Sequence, residues 1–297
     1  IVLIGTGNIG KRFLQAIHTV ESNVPLLCYD EQQKALESVG PFLERYGLSD
    51  RSEKTNEYEE AIDEIGDDTL VIVATTAEDR IDLLLDIVDR EPKYLISEKP
   101  VTQTERQYSE IVRACRTRGV SAYVHYYLRF QPFVEEVRRI ADLSNPFHLD
   151  VRLPGNGMAC NGIHFLDLFL KLSGMSQYVI QGMRFDDIYE QKRKGFWDLY
   201  GEINIETERG YTCTISNTST NKNQEVTLDT EDAVLNIYEE KEKMSVIKED
   251  NAEFRPLNSL YASEYLVDII EKYVSSDWKT GGGLTPLGEA VHSHRIL

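Results

Sequence analysis

The sequence predicts an α/β domain with a doubly wound parallel sheet, followed by an α+β domain built on an open, mostly antiparallel sheet. Three observations predict this. Short runs that are apolar throughout alternate with amphipathic stretches over the first part of the chain. From Phe147 onward the runs are longer and alternate apolar with polar residues. A glycine-rich turn follows the first apolar run directly and opens a helical pattern.

The first domain is placed at residues 1–123. Its apolar runs are Ile1–Ile4, Pro25–Tyr29, Thr69–Ala74, Tyr94–Ser97 and Val120–Val124. Unbroken apolar runs belong to strands covered on both faces, as in a parallel sheet. Helical stretches such as Ile9–Val20 and Asp79–Arg90 lie between them, and Thr76 with Asp79 reads as a capping box opening the latter. Strand and helix in repetition define the doubly wound pattern.

The second domain is placed at residues 124–284. Its strands are FHLDVRL, VIQGMRFDD, LYGEINIET, YTCTISNTS, EVTLDT and AVLNIYE, with Arg209-Gly210 as a hairpin turn. One helix, Gly162–Leu172, interrupts the series before Gly174 stops it. The charged stretch Glu239–Glu253 reads as a solvated hairpin and loop. After Gly281-Gly282-Gly283, residues 285–297 read as a closing helix.

Length and charge bound the function. The 297 residues carry 32 basic and 50 acidic side chains, a formal net charge of −18. Such a charge is repelled by nucleic-acid phosphates and by anionic membrane surfaces, so neither is expected as a partner. No apolar run approaches the ~18–20 residues that span a bilayer. The opening residues IVLIG read as a buried strand, no signal peptide is expected, and the expected location is the cytoplasm. Cys28, Cys115, Cys160 and Cys213 are far apart and without metal-ligand spacing, so they read as thiols and no metal site is expected.

Three motifs carry chemistry. Gly5-Thr6-Gly7-Asn8-Ile9-Gly10 sits between a strand and a helix: Gly5 allows the tight turn, Gly7 lets backbone approach a pyrophosphate, and Gly10 lets helix and strand pack closely. The amides that open the helix, at Asn8 and Ile9, are free to meet phosphates. Asp30 ends the second strand, twenty residues past Gly10, where a carboxylate binds ribose hydroxyls and repels a 2′-phosphate. NAD is therefore favoured over NADP. Glu98-Lys99-Pro100 ends another strand, with Pro100 holding Lys99 extended at the edge where such sheets bind ligands. On the later helix, His164, Asp167 and Lys171 form a narrow polar stripe expected to face water or a cleft, with Asp167 orienting His164. Such a histidine suits acid–base work near neutral pH.

With these motifs in hand, the chain resembles the glucose–fructose oxidoreductase/inositol dehydrogenase (Gfo/Idh/MocA) family. The resemblance rests on GTGNIG, SEKP at 97–100, YLRFQP at 127–132, NGIHFLDLF at 161–169 and the closing TPLGEAVHSHRIL. It implies an N-terminal Rossmann domain, a C-terminal domain with an open sheet, and a closing helix that packs back on the first domain. By the same resemblance Lys99 and His164 are the catalytic pair, Glu98 lies near the nicotinamide and its ribose, Thr75 and Thr76 touch the cofactor, and Arg129 stands beside the substrate. Three positions depart from the family pattern. Cys160 replaces an aspartate four residues before the histidine, Tyr127 replaces an asparagine, and Arg80 replaces a histidine after the fourth strand.

The expected function is NAD-dependent hydride transfer at a secondary hydroxyl or ketone carbon of a sugar, inositol or related polyol. Lys99, Tyr127, Arg129, Asn161 and His164 are the expected substrate contacts. Tyr123, Tyr126, Phe130, Phe196 and Trp197 are candidate stacking surfaces or core, and Arg152 and Lys192 are candidate contacts for an anionic substituent. The alternatives are a dinucleotide-binding regulatory protein, which Cys160 motivates, and NAD-assisted glycoside cleavage, which releases no NADH. A homodimer or homotetramer through the second sheet is expected by analogy.

Overall fold

The computed structural model describes residues 1–78, 80–155, 157–191, 194–238, 241–249, 251–278 and 281–295. The chain divides into two compact units, Ile1–Tyr126 with Tyr261–Val291, and Tyr127–Leu260 with His292–Leu297.

The first unit begins with β1 (Val2–Ile4), α1 (Asn8–Thr19), β2 (Leu26–Tyr29), α2 (Gln33–Arg45), β3 (Ser52–Thr55), α3 (Tyr58–Asp63), β4 (Leu70–Val73), α4 (Arg80–Asp89), β5 (Tyr94–Glu98), α5 (Glu105–Arg118) and β6 (Ser121–His125). In the second unit follow α6 (Pro132–Ile140), β7 (His148–Leu153), α7 (Ile163–Ser173), β8 (Val179–Glu190), β9 (Trp197–Glu206), β10 (Thr212–Asn217), β11 (Glu225–Asp229), β12 (Val234–Tyr238), β13 (Lys243–Lys248) and β14 (Asn251–Pro256). The chain then returns to the first unit with α8 (Ala262–Val274), β15 (Thr285–Pro286) and the start of α9 (Leu287–His294).

The first sheet has the order β3-β2-β1-β4-β5-β6-β15, parallel except for β15. Strand order reverses between β1 and β4, the switch point at which such sheets open a crevice beyond their strand ends. β1, β4 and the middle of β5 are wholly buried, as are Phe13, Leu14 and Ile17 of α1. All five predicted strands are present. β3, with the sequence SEKT, escaped the apolar pattern because it is the edge strand of the sheet, where charged residues are tolerated and block further pairing. α5 starts at Thr104, whose side chain accepts from the Gln107 amide at 3.2 Å, and stops at Gly119 in the left-handed region. The expected capping partner of Thr76, Asp79, lies outside the described residues.

The return of the chain starts earlier than the expected residue 285. α8 packs on α1, and its apolar face of Tyr265, Leu266, Ile269 and Ile270 is buried. The closing segment pairs Thr285 with Val124 of β6, and the Tyr108 hydroxyl donates to the Leu287 carbonyl at 2.7 Å.

The second sheet has the order β14-β13-β12-β11-β7-β10-β9-β8, antiparallel except where β7 meets β10. Alternate residues such as Leu149, Val151, Ile203, Ile205, Cys213 and Ile215 build its core with Phe133, Phe165 and Phe169 from α6 and α7. The turn at Gly210 and the stop of α7 at Gly174 fall where the sequence places them. The charged stretch after Tyr238 forms the expected hairpin, but its first strand is largely buried and not solvated. β13 and β14 are full ladder strands, and Met244 and Val246 enter the core, an alternation hidden among flanking charges. Glu239, Glu240 and Asp250 of that stretch lie outside the described residues.

Candidate active site

The carboxyl ends of β1, β2, β4 and β5 lie along one sheet edge. Gly5 turns the chain there with φ +92°, and a Cβ on it would sit 2.8 Å from the Ala74 carbonyl carbon. A Cβ on Gly10 would sit 2.1 Å from the Gly5 carbonyl oxygen, so α1 approaches the turn as only glycine permits. No atom stands within 4 Å of the place of a Gly7 Cβ, and Gly7, Asn8 and Ile9 are exposed. No side chain caps α1, and its first turn holds no acidic residue. Its positive end is thus open to an anion.

Asp30 stands beside this turn. Its Oδ2 accepts from the Thr6 amide at 2.8 Å and the Thr6 hydroxyl at 3.0 Å, and its Oδ1 from the Gln32 amide at 3.1 Å. The carboxylate is therefore held at the end of β2 and remains partly exposed.

Arg80 ties the other two strand ends together. Its side chain is 2% exposed and donates to the Thr75 hydroxyl at 3.3 Å, the Thr76 carbonyl at 3.1 Å, the Pro100 carbonyl at 2.6 Å, and the carbonyls of Thr75 and Glu98. One guanidinium thus fixes the loop after β4 against the Glu98-Lys99-Pro100 segment, whose Lys99-Pro100 bond is cis. Burial lowers the Arg80 pKa to about 10, which leaves it charged at neutral pH.

The Glu98 carboxylate is buried and bonds to Nδ1 of His125, whose Nε2 is 2.9 Å from the Tyr265 hydroxyl. Burial alone raises its pKa, but His125, followed by Lys99 and Arg80, outweighs that and holds it below the usual range. Lys99, next in the chain, is partly exposed. Gly5, Gly7, Gly10, Asp30, Thr75, Thr76, Glu98 and Lys99 are all at this edge.

In the second unit, His164 is buried at the start of α7, with its ring edge-on to Tyr127 at 4.6 Å. The polar stripe does not face water. Both Asp167 oxygens accept from Arg129, at 2.9 and 3.2 Å, and Lys171 donates to the Arg129 carbonyl at 2.8 Å. The stripe faces the Tyr127–Phe130 turn instead, because a buried carboxylate needs a cation. Burial, then Arg129 and Arg138, lowers the Lys171 pKa to about 8. Met158–Gly162, a π-helical turn, leads into α7, and Asn161 in it donates its amide to the Gly157 carbonyl at 3.1 Å. Asp198 of β9 is buried and accepts from the amides of Ala159 and Cys160 at 3.0 and 3.2 Å, steadying the helix start.

Among the other candidates, Tyr126 is core, Tyr123 packs edge-on to Trp278, Trp197 is exposed, and Phe130 and Phe196 are half-buried. Arg152 is exposed and bridged to Asp150, and Lys192 lies outside the described residues. Sequence reasoning missed His125, Tyr265 and Asp198. The one available signal was an acid at an inward position of an alternating strand, which marks Asp198.

An open α/β sheet whose first crossover is glycine-rich, with an acid ending the second strand, defines a dinucleotide-binding domain. Residues 1–126 match the Gfo/Idh/MocA model, described as oxidoreductase family, NAD-binding Rossmann fold, and this domain belongs to that family. None of the curated proteins matches the sequence. An oxidoreductase from Agrobacterium radiobacter, solved with NAD+, L-tartaric acid and magnesium, is similar in fold at 16% identity and TM-score 0.69, over 99% of this chain and 92% of the other. UDP-N-acetylglucosamine 3-dehydrogenase from Acidithiobacillus ferrooxidans follows at 12% and 0.70, over 99% and 94%. A super-repressor mutant of Gal80p from Saccharomyces cerevisiae gives 15% and 0.74, over 99% and 93%. At these identities the likeness is one of fold. Among the described residues, no helix is long and apolar enough to cross a membrane.

Proposed function

We propose that this chain is an NAD-dependent oxidoreductase acting at a secondary hydroxyl or ketone carbon of a sugar, inositol or related polyol. The observation that carries the reading is the assembly of the Gly5–Gly10 turn, Asp30, the Thr75-Thr76 loop and Glu98-Lys99 at one sheet edge. The amides of Gly7, Asn8 and Ile9 hold the pyrophosphate, Asp30 takes the adenosine ribose, and Thr75, Thr76 and Glu98 complete the cofactor contacts. NAD supplies the hydride acceptor or donor when bound. Lys99, at the end of β5, donates to the substrate oxygen and takes or returns its proton. His164 is the second proton-handling group, and Tyr127, Arg129 and Asn161 complete the polar surroundings of the substrate. The exposed apolar residues of the β8 and β9 region, Val179, Phe185, Ile188 and Trp197, support association of copies through the second sheet.

Lys99→Ala tests the reading. Turnover is expected to fall about 100-fold or more, as for loss of a general acid–base group, while NAD affinity stays within about threefold because the cofactor contacts lie elsewhere. Unchanged turnover removes Lys99 from the mechanism.

A further inference from the structure

Glu98 is 8% exposed, His125 4% and Tyr265 5%, and the three form one chain of contacts from β5 through β6 to α8. An anion buried this deeply persists only with a dedicated donor. An ionised carboxylate only accepts, so the His125 nitrogen on it, Nδ1, is the protonated one. The Tyr265 hydroxyl, at 2.9 Å, occupies Nε2 and keeps the ring from turning over. Lys99, next in the chain, and Arg80 from α4 also act on the Glu98 carboxylate. α1 contributes the Phe13 ring, edge-on at 5.5 Å.

We propose that His125 is a positioning residue of the dinucleotide site, its Nδ1–H holding the Glu98 carboxylate in place and ionised, with Tyr265 fixing the ring that does so. The proposal rests on the reading that Glu98 meets the dinucleotide, and it deepens that reading. The late segment that returns to the first unit braces the cofactor edge through α8.

The test uses the full chain as wild type, H125N, H125Q and H125L, with folding checked by circular dichroism and dinucleotide affinity by calorimetry at pH 8 and pH 6. Asparagine puts an amide N–H where Nδ1 stands, and glutamine puts one nearer Nε2. H125N is expected to bind NAD within about threefold of wild type, and H125Q and H125L about tenfold or more weakly, the cost of a buried anion that has lost its donor. Their deficit is expected to widen at pH 6, where an unsupported Glu98 takes up a proton. Long-range proton–nitrogen spectra of the wild-type ring are expected to show Nδ1 protonated. Equal affinity in H125N and H125Q, or an unprotonated Nδ1, overturns the proposal while leaving the cofactor reading standing. Absence of dinucleotide binding by the wild type overturns both, and if H125L does not fold, the asparagine–glutamine contrast decides.

Discussion

Arg80 serves carbonyls of four residues, Thr75, Thr76, Glu98 and Pro100, a role that no point charge on a flexible stem reproduces. Arg80→Lys is therefore expected to weaken NAD binding about tenfold and to cost about 2 kcal/mol of stability, since buried carbonyls lose their donors. Calorimetry and urea unfolding check this, and a variant with wild-type affinity shows that the clamp does not shape the cofactor edge. In the sequence Arg80 was visible only as a replaced histidine. Its acceptors are backbone atoms that strand order brings together, and no side-chain motif records them. The glycines and Asp30 were legible because each is demanded by local backbone geometry or by a fixed place at a strand end. His125 and Tyr265 were not, because they meet across 140 residues of chain.

Among the elements, α7 shows the same division. Its extent and its stop at Gly174 follow from composition and from a left-handed C-terminal residue. The surroundings of its polar stripe do not, because Arg129 lies 38 residues before Asp167. The pair is nearly buried, with side chains 12% and 4% exposed. Asp167→Asn leaves a guanidinium without its counter-charge and is expected to cost about 3 kcal/mol. The double variant Asp167→Asn with Arg129→Met is expected to recover part of that loss. Chemical denaturation measures both, and an unchanged midpoint in the single variant contradicts a structural role for the pair. Edge strands were the elements least visible in sequence. β3 exposes two of its four residues and β14 five of its six, so burial imposes little pattern on them.

For the whole molecule, buried acids set the alkaline limit. Burial pushes the Cys28 and Cys115 thiols from 9.0 up to about 12, and Cys213 and Tyr108 upward as well. Above about pH 9 the unfolded chain releases these thiol protons while the folded chain keeps them, so stability falls with rising pH. Lys171, lowered from 10.5 to about 8, and Arg80, lowered from 12.5 to about 10, work the other way between those values, two groups against several. The urea midpoint is expected to drop steadily from pH 9 to pH 11, and Cys28→Ala with Cys115→Ala is expected to flatten the decline. A level midpoint over that range contradicts the burial of these groups. Both sheets were legible in outline because each writes its own period, unbroken where two faces are covered and alternating where one is. The early return of the chain at α8 was not, since a helix of ordinary amphipathicity does not say which sheet it covers.

The most direct measurement is a calorimetric titration of the purified protein with NAD and with NADP. The account predicts saturable NAD binding at one site per chain and NADP binding at least about tenfold weaker, because Asp30 opposes a 2′-phosphate. Preferential NADP binding, or no binding of either dinucleotide by protein freed of any retained cofactor, contradicts it.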